Sequence, residues 1–194
     1  GTKGGCKQFL QKDGNKLNSK GVMELPYLRD DILNFMMCDE GRHATDDLYN
    51  KETILESFDK QATEEILGPG TEVLACDIVY VETNRPFPGV TPRDTCVIRC
   101  TYLFEGRAVV CMDSVDHPGA AITPKYVRSL VGGGLVITPA KDPGTPGCTV
   151  ATAQCVEPGG YVPQWAVNTF APKRCLLPLL VLEAMNDRPQ FAER

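Results

Sequence analysis

Three titratable residues, Asp113, Asp116 and His117, lie close together in the sequence. Together they could supply a general base or ligands for a metal ion. His117 also precedes Pro118 at a predicted strand end, where a hydrogen-bonded structural histidine is the commoner outcome. The glycines at 132–134 could suggest a phosphate-binding loop, but they join two strand segments without the helix N-terminus that would hold an anion.

Arg99 is a second candidate, because it is a charged residue in an otherwise apolar strand. Strict alternation over residues 95–104 places Arg99 on one face of the strand with Val97, Thr101 and Leu103. Arg99 is therefore either a solvent-exposed strand charge or a charge held inside a cavity. In the second case it needs a partner, because an uncompensated buried charge is very costly.

The rest of the composition excludes several classes of protein. Nucleophile-elbow, Walker and HExxH motifs are missing, so nothing in the sequence supports an enzyme, although nothing excludes one. The nine cysteines are scattered, no Cys-x-x-Cys occurs, and there are only two histidines, so we expect no metal site and no cofactor. Such cysteines are typical of buried free thiols in a reducing compartment.

The charge balance gives little reason to expect nucleic acid as a partner. The chain has 20 basic and 25 acidic residues, a net charge of −5, and shows no composition shift that would mark a linker. At 194 residues, we expect one domain spanning residues 1–194.

The segment 159–186 predicts a long C-terminal helix around which the other elements are arranged. Pro163 suits a first helical position, whereas Pro172 and Pro178 predict a kink around residues 175–177. The leucine-rich second half has no polar face, so we expect other structure on both sides of it. Charged residues leave the apolar run too short to span a membrane.

The remaining segments predict a mostly antiparallel sheet. A first hairpin is expected at 6–12 and 17–25, followed by helices at 30–37 and 46–58, with Asp30-Asp31 and Asp46-Asp47 as helix-start charges. Strands are predicted at 71–82, 95–104, 107–115, 127–140 and 148–156, and a surface loop at 116–126. This order indicates an α+β fold with the terminal helix across one sheet face.

Several short segments in order over residues 80–185 resemble the START domain, the lipid-transfer fold related to steroidogenic acute regulatory protein. They are Val79-Tyr80-Val81-Glu82, Pro86-Phe87-Pro88, Pro92-Arg93-Asp94, Ser114-Val115-Asp116-His117-Pro118, Val127-Arg128, Gly159-Gly160-Tyr161-Val162-Pro163-Gln164-Trp165 and Asn168. The proline-rich segment before Arg93 is most similar to the phosphatidylcholine-transfer branch. The resemblance implies a helix-grip fold of the START and Bet v 1 type: a curved antiparallel sheet around a long C-terminal helix, with an internal hydrophobic tunnel.

The resemblance also implies a set of site residues. Lipid-binding residues would be Arg99, Val97, Thr101, Met112, Trp165, Asn168, Thr169, Leu176 and Leu180, and the lid loop 116–126 would include Pro118, Ala121, Ile122 and Tyr126. The acidic partner that some sterol-binding members give to the arginine has no clean match, although Asp77 and Glu82 lie near. The family's N-terminal helix is not evident before Cys6, which leaves open that the chain is a piece of a longer protein.

These features predict a non-catalytic domain that holds one lipid and exchanges it with membranes through the 116–126 loop and the C-terminal helix. The lipid would be a phospholipid or a sterol or sphingolipid. We expect a cytoplasmic monomer that contacts membranes transiently and does not bind nucleic acid. Two alternatives stay open: a lipid-sensing domain of a larger protein, and a hydrolase or cyclase on the same fold with Asp113 or His117 as base.

Overall fold

The computed structural model describes residues 1–13, 16–141, 146–163, 165 and 173–191. The strands are β1 Thr2–Lys3, β2 Cys6–Asp13, β3 Lys16–Leu25, β4 Tyr49–Ser57, β5 Thr71–Thr83, β6 Arg93–Phe104, β7 Arg107–Ser114, β8 Val127–Arg128, β9 Leu130–Pro139 and β10 Cys148–Glu157. The α-helices are α1 Arg29–Met37, α2 Asp39–Thr45, α3 Lys60–Leu67 and α4 Leu177–Asn186, and two short 3-10 helices lie at Pro118–Ala120 and Pro189–Phe191.

All the strands belong to one curved sheet that does not close into a barrel. Its order is β1-β2-β3-β10-β9-β7-β6-β5-β4, and β8 pairs with β6. Neighbouring strands along the main path are antiparallel, whereas the short β8 runs parallel to β6. The α+β class and the antiparallel sheet predicted from the sequence are therefore confirmed.

The two faces of the sheet are covered differently. On the inner face, side chains of β7, β9 and β10 form the main core with α1 and α4; they include Val110, Leu135, Ile137, Val150, Ile32, Phe35, Val181 and Met185. On the outer face, α3 lies against β5. This arrangement puts the C-terminal helix on the concave side, as the helix-grip fold requires.

The predicted kink in the C-terminal helix is confirmed in its described part. Residues 173–175 are helical, Leu176 has a turn conformation with φ −93° and ψ 2°, and α4 begins immediately after it. Pro178 occupies the first turn of α4, where its missing N–H costs nothing. Pro172, the other predicted cause of the kink, lies outside the described residues.

The helix predicted over residues 46–58 is wrong, because this segment forms β4. Asp46 caps the end of α2 instead of starting a helix, and its carboxylate accepts a hydrogen bond from the Leu48 amide at 2.9 Å. The segment completes the sheet by pairing with β5 from Tyr49 to Ser57, with two register shifts. Sheet pairing thus overrode a local sequence whose acidic start had favoured a helix.

Candidate functional site

Arg99 lies on the inner face of β6 and is held by an acidic partner from the sheet edge. Its guanidinium donates two hydrogen bonds to the Glu52 carboxylate of β4, Nη1 to Oε2 at 2.8 Å and Nη2 to Oε1 at 2.9 Å. The two side chains are 9% and 15% exposed. Arg99 therefore belongs to a buried, bidentate ion pair and is not a solvent-exposed strand charge. Its predicted contact with a lipid stays a prediction.

Glu52 also binds a second cation, Arg42 of α2, through Oε2. Arg42 also contacts Tyr49, since its guanidinium carbon lies 5.8 Å from the centroid of the Tyr49 ring. The Tyr49 hydroxyl in turn donates a hydrogen bond to the Asp39 carboxylate at 2.6 Å. Burial lowers the pKa of Arg42, and the nearby positive charge of Arg99 lowers it further. We call Arg42, Glu52 and Arg99 the ionic cluster.

One polar atom of this cluster and one on the same strand as Arg99 lack hydrogen-bond partners among the described residues. The Thr101 hydroxyl, one inward-facing position beyond Arg99 on β6, and the Nε of Arg42 are both buried without a hydrogen bond to any described residue. Unpaired buried polar atoms are rare and costly in folded proteins. The inner face therefore offers hydrogen-bonding capacity that the described protein does not use.

The other predicted residues of β6 and β7 share the inner face with Arg99. Val97 is buried opposite Val79, and Met112 lies directly across from Arg99 and packs against the main core. Asp77 is the register neighbour of Arg99 on β5, but its Oδ1 accepts a hydrogen bond from Ser57 at 2.7 Å. Glu82 lies on the outer face with Lys51 and Lys125, so it cannot serve Arg99.

Two cavities lie between the inner face and the elements that cover it. The larger, of about 310 Å³, is bordered by the end of α2 and by the C-terminal helix, with Ala44, Leu48, Leu176, Leu177 and Leu180 in its wall. The smaller, of about 140 Å³, is bordered by Leu17, Thr95, Val131, Val156 and Val162. Leu48 and Arg174 border both, so the two spaces adjoin.

Leu176 and Leu180 were predicted to contact lipid, and each of them lies both at a cavity wall and in a hydrophobic cluster. Both border the larger cavity, and both also pack against Cys6 and Met23 of the first hairpin. The predicted contacts Asn168 and Thr169 lie outside the described residues. Trp165 is 53% exposed, and its ring meets the Phe87 ring edge-on with centroids 4.5 Å apart.

The loop between β5 and β6 borders the smaller cavity. Pro86 and Val90 from this loop contribute to the cavity wall, and Phe87 brings it against Trp165. Arg93 at the start of β6 links this loop to the segment after β10, since its Nε donates a hydrogen bond to the Pro158 carbonyl at 3.2 Å. The segment 84–92 and the start of the C-terminal segment thus meet at one end of the cavity.

The predicted lid, the loop at 116–126, packs against the outer face of the sheet through Ala120. Ala120 is buried on the outer face against Ile78 and Cys96, whereas Pro118, Ala121 and Ile122 are exposed, and Tyr126 is buried. Arg128 anchors this loop by donating to the Ala120 carbonyl at 2.7 Å and to both carboxylate oxygens of Asp94 at 3.0 Å. Neither described cavity includes a residue of this loop in its wall.

The candidate catalytic residues also lie away from the inner face. His117 uses Nδ1 to accept the Gly119 amide at 3.0 Å, and its Nε2 lies 3.3 Å from the Glu56 carboxylate. Asp113 is exposed on β7, and its Oδ1 accepts from the Ser114 amide at 2.9 Å. The interpretation of His117 as a structural histidine fits this geometry.

The glycines at 132–134 serve strand packing inside β9. Gly133 has φ +123°, and a Cβ at this position would lie 2.1 Å from the Ala153 carbonyl oxygen on β10. Only glycine permits this conformation together with so close an approach of two strands. A phosphate-binding loop is not formed, since both sides of the run are strand.

Sequence reasoning missed Glu52 and Arg42 as site residues. Glu52 was assigned to a helix, which removed it from the sheet and from any register with Arg99. The available signal was the β-branched and apolar run at 53–55 beside Glu52, which suits an edge strand. Arg42 had no such signal, because its position depends on how α2 packs over the sheet edge.

Within the described part of the chain, no group of His, Cys, Asp or Glu side chains is arranged to hold a metal ion. None of the helices among those residues has the length and apolar character that crossing a bilayer requires.

A comparison with known protein families identifies the fold. The START domain model matches residues 46–177, more than half of the chain, so the chain belongs to this family.

Three solved structures show how widely the fold is shared. Human StAR-related lipid transfer protein 5 superimposes with a TM-score of 0.76 at 15% identity, covering 95% of this chain and 84% of that one. Human STARD10 gives 0.73 at 18% identity, covering 98% and 73%. The human StarD13 (DLC2) lipid transfer and protein localization domain gives 0.70 at 18% identity, covering 95% and 86%. A comparison with curated protein sequences found no match.

Proposed function

We propose that this chain binds one lipid between the inner face of the sheet and the C-terminal helix, and transfers it between membranes. The observation that carries the proposal is the ionic cluster, with the unpaired Thr101 hydroxyl and Arg42 Nε beside it. Removing charges from water is expensive, and a ligand head group would supply the missing hydrogen-bond partners. The lipid's polar end would therefore lie at this cluster.

The apolar part of the lipid would occupy the space bordered by leucines and valines. The larger cavity alone, at about 310 Å³, reaches the lower end of the roughly 300–1,000 Å³ range of ligand pockets. Burying roughly 600 Å² of lipid tail would contribute about 15 kcal/mol relative to water, before ordering costs. Relative to a bilayer the gain is far smaller, so the domain can both load and unload.

Release of the lipid requires a movable cover. The predicted lid at 116–126 stays a prediction, and Ala120 would have to leave the outer face for that loop to open widely. We propose that the segment 84–92 also takes part, because Pro86 and Val90 form part of a cavity wall. The break at Leu176 gives the C-terminal helix a second point of movement.

The test is the lipid that remains bound to the purified protein. Arg99→Met should change which lipid co-purifies, as determined by mass spectrometry of an organic extract. Arg107→Met is the matched control, because Arg107 is exposed at the opposite end of the β6–β7 hairpin. The same lipid profile for wild type and both variants would remove Arg99 from the site.

We also propose that the domain is not an enzyme. The support is that Asp113 and His117, the candidate bases, are engaged away from the two cavities on the inner face. Replacing both, by Asp113→Asn and His117→Gln, should leave lipid binding and transfer unchanged. Loss of turnover of a candidate substrate in this double variant would contradict the proposal.

The setting that fits this carrier is the cytoplasm, with the chain acting as a monomer that contacts membranes transiently. The support is that all nine cysteines are free thiols, which suits a reducing compartment. Sedimentation with and without vesicles of phosphatidylcholine would test both the monomer and the membrane contact.

A further inference from the structure

Three cysteines stand side by side across three adjacent strands on the outer face. Cys76 of β5 is the direct register partner of Cys100 of β6, and Cys100 is the direct partner of Cys111 of β7. Burial, and after it the nearby Cys76 thiol, contributes to raising the pKa of Cys100. The Cys111 thiol points toward the Cys100 carbonyl at 3.7 Å. This thiol row is separate from the inner face that the proposed function uses.

The thiol row is open to small reagents. A cavity of about 400 Å³ between α3 and the sheet is bordered by all three cysteines, together with Phe58, Ile66, Leu67 and Ile98. Cys111 is exposed, whereas Cys76 and Cys100 are 6% and 8% exposed. A reagent entering from solvent therefore meets Cys111 first and finds Cys100 directly beside it.

We propose that Cys111 and Cys100 form a thiol oxidation site, in which Cys111 reacts with a small peroxide and Cys100 then closes a cross-strand disulfide. Directly opposed residues of antiparallel strands have Cα atoms roughly 4.5–5.5 Å apart, inside the roughly 4.4–6.8 Å range that disulfides span. Cys155 on β10 shows the contrast, because its register partners are Asn18 and Gly132 and no thiol lies opposite.

The chemistry balances with hydrogen peroxide as the oxidant. The Cys111 thiolate attacks one peroxide oxygen, the O–O bond breaks, and the departing hydroxide takes a proton to become water. The Cys100 thiolate then attacks the Cys111 sulfur, so that the S–S bond forms and the S–O bond breaks. The departing hydroxide takes the proton that the Cys100 thiol gave up and becomes a second water. Two thiols lose two electrons and the peroxide gains them.

Burial slows these steps without preventing them. Partial desolvation of its sulfur raises the pKa of Cys111 although the residue is exposed, and burial raises the pKa of Cys100 to about 12. The thiolate fractions are therefore small at neutral pH, and the reaction is best followed under mildly alkaline conditions.

The experiment treats the folded chain with hydrogen peroxide, quenches it, and maps cysteine-containing peptides by mass spectrometry. The wild type should yield a Cys100–Cys111 disulfide. Cys100→Ser should stop at the sulfenic acid of Cys111, which dimedone traps. Cys111→Ser should lose the Cys100 disulfide, and Cys155→Ser should behave like the wild type. Cys100→Ala serves as a second variant, with folding of each verified by circular dichroism.

Two results would overturn the assignment. The first is a wild-type protein in which Cys111 remains a free thiol or a trapped sulfenic acid while Cys100 stays reduced. The second is a disulfide at Cys100 that forms equally well in Cys111→Ser, since Cys76 would then be the partner and Cys111 would have no part in the reaction.

Discussion

Replacing Glu52 by glutamine should destabilise the fold strongly, because one carboxylate pairs with the buried Arg99 and with the largely buried Arg42. Glu52 accepts the two bonds of Arg99 at 2.8 and 2.9 Å and also binds Arg42. Removing one partner of a buried ion pair costs roughly 3–5 kcal/mol, since the remaining charge stays unpaired. The Glu52 side chain is 15% exposed, so we take the lower end, about 3 kcal/mol. A domain of this size should then lose about 6–12 °C in Tm.

Urea unfolding followed by circular dichroism measures this free energy directly. Glu56→Gln is the matched control, because Glu56 lies on the same strand but is 51% exposed and pairs only with His117 among the described residues. Its loss should change the free energy of unfolding by less than about 1 kcal/mol. Arg99→Met should cost less than Glu52→Gln, because Glu52 then keeps Arg42.

A double-mutant cycle completes the test. With Glu52→Gln in place, Arg99→Met removes one of the two unpaired cations, so its cost should shrink or change sign. Equal effects of Glu52→Gln and Glu56→Gln would refute the reasoning, since they would show that the Glu52 carboxylate is as dispensable as an exposed one.

Two further substitutions follow from the structure. Burial, helped by the charge of Asp30, raises the pKa of Asp31, so the stability that this group contributes is greatest below about pH 3.9 and declines as pH rises through the raised pKa. Asp31→Asn should therefore raise Tm at neutral pH but not in acid, whereas Asp30→Asn, which loses an exposed pair with Arg29, should not raise it. Gly133→Ala should cost more than about 1 kcal/mol, because φ is +123° and the new Cβ would lie 2.1 Å from the Ala153 carbonyl oxygen. Gly132→Ala should cost clearly less in the same urea titration, since its nearest neighbour is the movable Asp113 carboxylate at 3.1 Å; equal costs would contradict this account.

Sequence patterns predicted the local structure correctly where a residue's own conformational preference agreed with its position in the fold. The hairpin of β6 and β7 is an example: Gly106 has a φ of 75°, which its two-residue turn requires and which glycine adopts readily. The break at Leu176 is another, because proline at 178 constrains the backbone whatever surrounds it. The START resemblance rested on such local segments and is confirmed.

The same reasoning failed where the outcome depended on distant pairing. Residues 46–58 have helix-compatible acids at their start, yet β4 forms because β5 offers a free edge to pair with. Helix α3 on the outer face was not predicted either. Because β4 was missed, the partner of Arg99 was sought at Asp77 and Glu82, which are engaged by Ser57 and by lysines.

The sequence by itself determined the strands of the central sheet, the interrupted C-terminal helix and the presence of one arginine among apolar neighbours. Those features depend on alternation, turn chemistry and proline geometry, which act over a few residues. Only the tertiary structure decided that Arg99 is buried, that Glu52 and Arg42 complete its cluster, and that three thiols stand in a row. Such contacts join strands far apart in the chain, and register and packing fix them rather than any local preference.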